Sequence, residues 1–121
     1  MNFSKLNGLI PAVVQDHQTR EVLMVGFMNE AALARTRATG LVSFFSRTRN
    51  TLWTKGETSG NRLRVKRLLT DCDADTVLVR VERLGDGNVC HLGSRSCFTT
   101  ELDITRQERD TSCGTTTTGR S

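Results

Sequence analysis

What most constrains this chain is that its apolar stretches are short and β-branched, with none long enough to build a helical core or cross a bilayer. Residues 76 to 83 set Val77, Val79 and Val81 against Leu78, Arg80 and Glu82, the period-two pattern of a strand with one buried face. Residues 9 to 15 and 21 to 27 read as two further strands, joined by Asp16-His17-Gln18-Thr19, which has the composition of a turn. An N-terminal hairpin is therefore expected. Val42 to Ser46, Leu52 to Thr54 and Val65 to Leu69 read as strands too, with Gly56-Glu57-Thr58-Ser59-Gly60 as a loop. Pro11, the only proline, stands at the start of the first strand, where a missing amide proton costs least. One helix interrupts the series. Asn29 is a good N-cap, Met28 and Leu33 occupy staple positions, and Gly40 stops a helix expected over residues 30 to 39, with Ala34, Ala38 and Leu41 sharing a face. The expected class is α+β, mainly antiparallel sheet with one short helix.

At 121 residues the chain has the length of one domain, and 36% apolar residues leave its core thin. Burial shared with a second subunit is expected. The run from Leu9 to Val14 is far short of the roughly 18 residues that span a bilayer, and no leader pattern precedes it, so the expected location is the cytoplasm. Residues 1 to 100 are expected to form the domain. From Glu101 onward the pattern turns polar and ends in a threonine-rich run, so residues 101 to 121 are expected to be a disordered tail. Lys and Arg outnumber Asp and Glu by 17 to 13. Seven of the basic residues (Arg47, Arg49, Lys55, Arg62, Arg64, Lys66 and Arg67) fall in one stretch against the single acid Glu57, and Asp71, Asp73 and Asp75 follow at once. Such a stretch suits nucleic acid or a small phosphorylated ligand.

Four cysteines without a leader argue for reduced thiols or metal rather than disulfides. Cys72, Cys90 and Cys97 lie in the part expected to be ordered, Cys113 in the tail. No CxxC pair is present. Three thiolates with one open position form the catalytic zinc pattern; the alternatives are small buried core residues, or a four-thiolate structural site closed by Cys113. In an extended Asp71-Cys72-Asp73-Ala74-Asp75 the three carboxylates would share one face and Cys72 the other, and they would call for a hard cation such as Mg²⁺. A solvated acidic turn is the plainer reading. An EF-hand loop fails at Thr76, where glycine is required. His91, directly after Cys90, is placed for proton transfer. Gly56 to Asn61, between Lys55 and Arg62, offers amides and hydroxyls to a phosphate without being a P-loop. Trp53, Phe44 and Phe45 could stack on a base, although aromatic residues in strands are usually core.

Taken together, Leu9-Ile10-Pro11-Ala12, Val22-Leu23-Met24 with Met28-Asn29-Glu30, Ser46-Arg47-Thr48-Arg49, Leu52 to Asn61, Asp71 to Asp75, and Cys90 to Phe98 resemble, in that order, the phosphoribosyl-AMP cyclohydrolases of histidine biosynthesis. The resemblance implies Zn²⁺ on Cys72, Cys90 and Cys97, Mg²⁺ on Asp71, Asp73 and Asp75, and an intertwined homodimer whose zinc sites draw on both subunits. It also implies a reaction in which water adds at C6 of an adenine alkylated at N1 and the bond between N1 and C6 breaks. Zinc lowers the pKa of water from 15.7 to about 7 in favourable sites, more than a general base alone achieves. Because three thiolates acidify water less than neutral ligands do, His91 is expected to move the proton. The two phosphates of such a substrate would account for Arg47, Arg49, Lys55, Ser59 and Arg95. Phe44-Phe45 departs from the resemblance, which commonly has a tyrosine or tryptophan in that pair. No pyrophosphohydrolase-type domain is seen in these residues, so the monofunctional form is expected. The competing expectation is a zinc-stabilised basic module that binds single-stranded nucleic acid through Arg47, Arg49 and Arg64. Nucleobase deamination is disfavoured, because its H-x-E and P-C-x-x-C elements are missing.

Overall fold

The computed structural model describes residues 1 to 104; residues 105 to 121, and with them Cys113 and most of the expected tail, lie outside the described residues. Six strands and one helix run in the order β1 (Ile10–Asp16), β2 (Val22–Met28), α1 (Glu30–Thr39), β3 (Ser43–Ser46), β4 (Thr51–Thr54), β5 (Leu63–Thr70) and β6 (Val77–Arg83). The class is α+β, with one short helix. β1 and β2 form the expected antiparallel hairpin, from Ile10 opposite Met28 to Gln15 opposite Val22.

The main sheet has the order β2-β1-β6-β5, and β3 with β4 forms a second, two-stranded sheet. The first sheet is mixed, because β1 and β6 run parallel, Ala12 opposite Val77 through Asp16 opposite Val81. That pairing joins the two most regularly alternating strands, whose buried residues (Ile10, Ala12 and Val14 with Val77, Val79 and Val81) meet on one face. Its opposite face, with Val25 and Phe27 exposed and Val13 and Leu78 half-buried, carries an apolar centre covered by no described element.

Asn29 caps α1 as expected, its side chain accepting the Ala32 N–H, and Gly40 ends it with φ 75° and an N–H to Thr36 O. The expected face does not hold. Ala32, Leu33 and Thr36 are the buried residues, whereas Ala34 and Ala38 are exposed. The cause is a polar anchor that apolar spacing does not show: the Thr36 hydroxyl donates to Ala32 O at 2.9 Å and accepts the Ser43 N–H at 3.0 Å, locking the helix to the start of β3. The segment after β5 also departs from expectation. Residues 71 to 76 form a turn rather than an extended run, closed by Asp71 N to Thr76 O and Ala74 N to Asp71 O, with Ala74 at φ 57°. The aspartates therefore do not share a strand face.

Phe44 is buried in the core on top of Gly26 in β2; a Cβ built on Gly26 would lie 2.6 Å from the Phe44 ring. Among the described residues no helix is long and apolar enough to cross a membrane. Because overpacking a filled core costs roughly 1–3 kcal/mol, Gly26→Ala is expected to lower the unfolding midpoint in urea, and Phe44→Leu in the same chain to restore part of the loss. An unchanged midpoint in Gly26→Ala would contradict this packing.

Candidate metal and substrate site

Three parts of the chain carry the residues singled out above: the segment after β6, the turn between β5 and β6, and the cleft beside β3 and β4. Residues 84 to 100 contain no strand or helix, so Cys90 and Cys97 are placed by individual hydrogen bonds. Cys90 N donates to Ser94 O at 3.0 Å and Gly93 N to Cys90 O at 2.9 Å, with Gly93 at φ 92°, so the segment folds back on itself at His91 and Leu92. Cys97 N reaches Leu23 O of β2 at 2.8 Å. The two thiols thereby come within mutual influence. The Leu92 amide, the Ser94 hydroxyl, Cys97 and the Lys55 ammonium hold the Cys90 thiol below the usual range, whereas burial and the neighbouring Cys90 push Cys97 up. One thiol is thus easier to ionise than its neighbour. His91 is exposed at the tip of the same turn.

Cys72 is not part of this pair. It is exposed in the β5–β6 turn, two to three strand spacings from β2, on the order of 10–15 Å across the sheet. Among the described residues no three His, Cys, Asp or Glu side chains converge closely enough within one chain to hold a metal ion. Cys90 and Cys97 offer two of the donors a thiolate site would need, and among the described residues the arrangement of one chain brings no third beside them.

Asp71, Asp73 and Asp75 occupy the same turn as Cys72. The Lys5 ammonium lies 2.7 Å from Asp75 Oδ2 and 3.6 Å from Asp73 Oδ2. Hydrogen bonding and charge from Lys5 hold the Asp75 carboxyl below its ordinary value. Carboxylate oxygens are the donors a hard ion takes, but here Lys5 engages Asp73 and Asp75 while Asp71 accepts the Asp75 N–H, and the three do not converge on one point.

A cleft of about 600 Å³ opens beside β3 and β4, lined by Ser46, Arg49, Trp53, Gly56, Glu57 and Ser59 among others. That volume suits a nucleotide-sized ligand. Gly56 has φ 79°, and a Cβ there would meet the Asn61 backbone at 2.3 Å, so the loop closes only with glycine. Lys55, between the cleft-lining Thr54 and Gly56, lies within electrostatic reach of both thiols. Trp53 packs on Phe44 with ring centroids 5.0 Å apart, and Arg64 faces Glu82 at 3.6 Å. Trp53 is thus engaged by the core on one side, and Arg64 shares an exposed ion pair. Of the other expected ligand-binding residues, Arg49 and Ser59 line the cleft, Arg47 lies over the Phe27 ring at 5.8 Å, and Arg95 places Nε 2.6 Å from Glu21 Oε1.

Asp16 and Arg83 were not visible as site residues in the sequence. Asp16 occupies a buried position of β1 in phase with Ile10, Ala12 and Val14, and that break in an apolar alternation was the available signal. Burial alone would raise its carboxyl; the Thr19 and Gln18 amides and the Arg83 guanidinium outweigh burial and hold it below the usual carboxylate range. A depressed native value stabilises the fold above the unfolded value near 3.9, and this contribution is lost as pH falls through the native value. As pH falls below about 4, the unfolding midpoint of the parent protein is therefore expected to fall more steeply than that of Asp16→Asn. Parallel acid limbs would contradict it.

The family model described as phosphoribosyl-AMP cyclohydrolase matches residues 24–99. The phosphoribosyl-AMP cyclohydrolase of Geotalea uraniireducens is 58% identical over 98 residues, 81% of this chain and 78% of that protein. Its counterpart from Desulforapulum autotrophicum is 55% identical over the same shares. The histidine biosynthesis bifunctional protein of Vibrio parahaemolyticus is 54% identical over 98 residues, 81% of this chain but 46% of that longer protein. With the matched segment running from β2 through the thiol-bearing turn, this chain belongs to the phosphoribosyl-AMP cyclohydrolase family.

Proposed function

We propose that this chain hydrolyses phosphoribosyl-AMP in histidine biosynthesis, opening the adenine ring between N1 and C6, with Cys90 and Cys97 as two ligands of a catalytic zinc. The carrying observation is the thiol pair within electrostatic reach of Lys55, whose chain neighbours Thr54 and Gly56 line a nucleotide-sized cleft. Zinc bound there would supply the Lewis acidity that makes water a nucleophile near neutral pH. The remaining work belongs to the chain's own residues. Arg49 and Ser59, with Lys55 and Arg47 nearby, draw phosphate groups to the cleft, and the closed backbone of the Gly56 loop fixes its wall. His91, exposed beside Cys90, transfers a proton between water and the departing ring nitrogen. The Glu21 carboxylate engages Nε and Nη2 of Arg95, so one face of that guanidinium remains for substrate. Asp71, Asp73 and Asp75 are assigned to Mg²⁺, which must displace Lys5 to reach Asp75.

We assign the third zinc ligand to Cys72 of a second copy, in a homodimer. Two features support this. Cys72 lies across the sheet from the pair, and the uncovered sheet face presents Val25 and Phe27 to solvent. The free thiols Cys72, Cys90 and Cys97 suit a reducing compartment such as the cytoplasm.

Cys90→Ala and Cys72→Ala are each expected to abolish ring opening and zinc retention, read by loss of substrate absorbance and by metal analysis. Mixing the two variants after unfolding is expected to restore about a quarter of the parent activity, because each mixed dimer of a two-fold assembly regains one complete site. No recovery would contradict sharing between copies. His91→Ala is expected to keep its zinc and to lose at least about tenfold in rate. A normal rate across neutral pH would remove His91 from the mechanism.

A further inference from the structure

The β1–β2 hairpin ends in a short connection, residues 17 to 21, and that connection is fastened to the thiol-bearing segment on both sides. On one side, Asp16 Oδ2 accepts Arg83 Nε at 2.9 Å, while Arg83 Nη1 donates to Gly87 O at 2.9 Å. Asp16 Oδ1 accepts the Gln18 and Thr19 amides, so the same carboxylate closes the hairpin and, through Arg83, holds the turn leading to Val89 and Cys90. On the other side, Glu21 engages Arg95 at 2.6 and 3.3 Å, and the buried Ser96 hydroxyl donates to Val22 O at 2.9 Å, next to the Cys97 N–H bond to Leu23 O. The two cysteines are thus suspended between two clamps, each joining residues more than 60 positions apart in sequence.

A buried ion pair is a poor means of stabilising a core, since apolar residues of the same volume serve as well or better. Asp16 occupies a position where β1 otherwise places Ile10, Ala12 and Val14, and Arg83 ends the strand whose buried positions are Val77, Val79 and Val81. Two charges in two apolar alternations call for a purpose other than packing. What they hold is backbone that has no regular hydrogen bonding of its own, with Gly85 and Gly87 at positive φ. Groups that orient metal ligands from outside the coordination shell typically change metal affinity or activity by about 10–100-fold when removed.

We infer that Asp16, Arg83 and Glu21 are positioning residues that set the separation and direction of the Cys90 and Cys97 thiols. The inference rests on the reading that those two thiols bind metal. It differs from a plain brace in that the geometry it controls is the distance between two ligands, which metal affinity reports and folding stability does not.

The test uses the full chain, freed of metal and titrated with Co²⁺, whose visible ligand-field bands report thiolate coordination. Asp16→Asn and Arg83→Met are expected to weaken Co²⁺ binding about tenfold or more and to alter the bands. Arg83→Lys is expected to recover part of the affinity, because it keeps the charge opposite Asp16 while losing the forked contact to Gly87. Glu21→Gln, at a more accessible position, reads the second clamp should Arg83→Met not fold, and is expected to weaken binding in the same direction. Cys90→Ala serves as the reference for the metal reading. If it loses the cobalt bands while Asp16→Asn, Arg83→Met and Glu21→Gln keep parent affinity and bands, the clamps are overturned and the metal reading stands. If Cys90→Ala keeps the parent bands, the metal reading fails and the clamps fail with it.

Discussion

The placement of Cys90 and Cys97 depends on holding a segment without regular structure against the end of a sheet. Helices and strands place their side chains through repeating backbone bonds, but residues 84 to 100 have none. Single contacts hold them: to the β1–β2 hairpin a main-chain bond from Cys97, a buried serine hydroxyl and the Arg95–Glu21 ion pair, to Arg83 the Gly87 carbonyl, and to Asn61 and Arg62 the amides of Asp86 and Leu84. The rest of the fold serves that arrangement. The parallel pairing of β1 with β6 delivers Arg83 beside Asp16, and the antiparallel pairing of β1 with β2 delivers Glu21 and Leu23 to the same end.

Charge is distributed along the sheet in a corresponding way. At the hairpin end, the Leu92 amide and the Ser94 hydroxyl lower the Cys90 thiol, with Cys97 and Lys55 adding to them. In the β5–β6 turn, three carboxylates collect and take up Lys5 from the N-terminal segment. Soft sulfur donors and hard oxygen donors are thereby kept apart, the separation that different metals require. Cys72 is the exception, a sulfur donor among the carboxylates.

Much of this was legible in the sequence, for identifiable reasons. The β1–β2 hairpin, the bounds of α1 with its Asn29 and Gly40 caps, and the alternation of β6 are local signals, and each appears as read. The parallel β1–β6 pair was not legible, because it joins residues more than 60 positions apart and follows from the whole topology. The buried face of α1 was misread because a threonine, not an alanine, anchors it. The aspartate run was read as extended although Ala74 at φ 57° bends it into a turn, a conformation that alanine seldom signals. In the site, residue types and order pointed to the thiols and the basic stretch. The clamps escaped notice because Asp16 reads as an ordinary turn residue until β1 is seen to bury it.

The central claim is that the metal centre is made of three cysteine sulfurs and keeps one position open. X-ray absorption at the zinc edge of the full-length protein tests it most directly. The account predicts a first shell of three sulfur atoms near about 2.3 Å and one lighter atom near about 2.0 Å. A shell of four sulfurs, which would bring in Cys113, or a shell with no sulfur would contradict it.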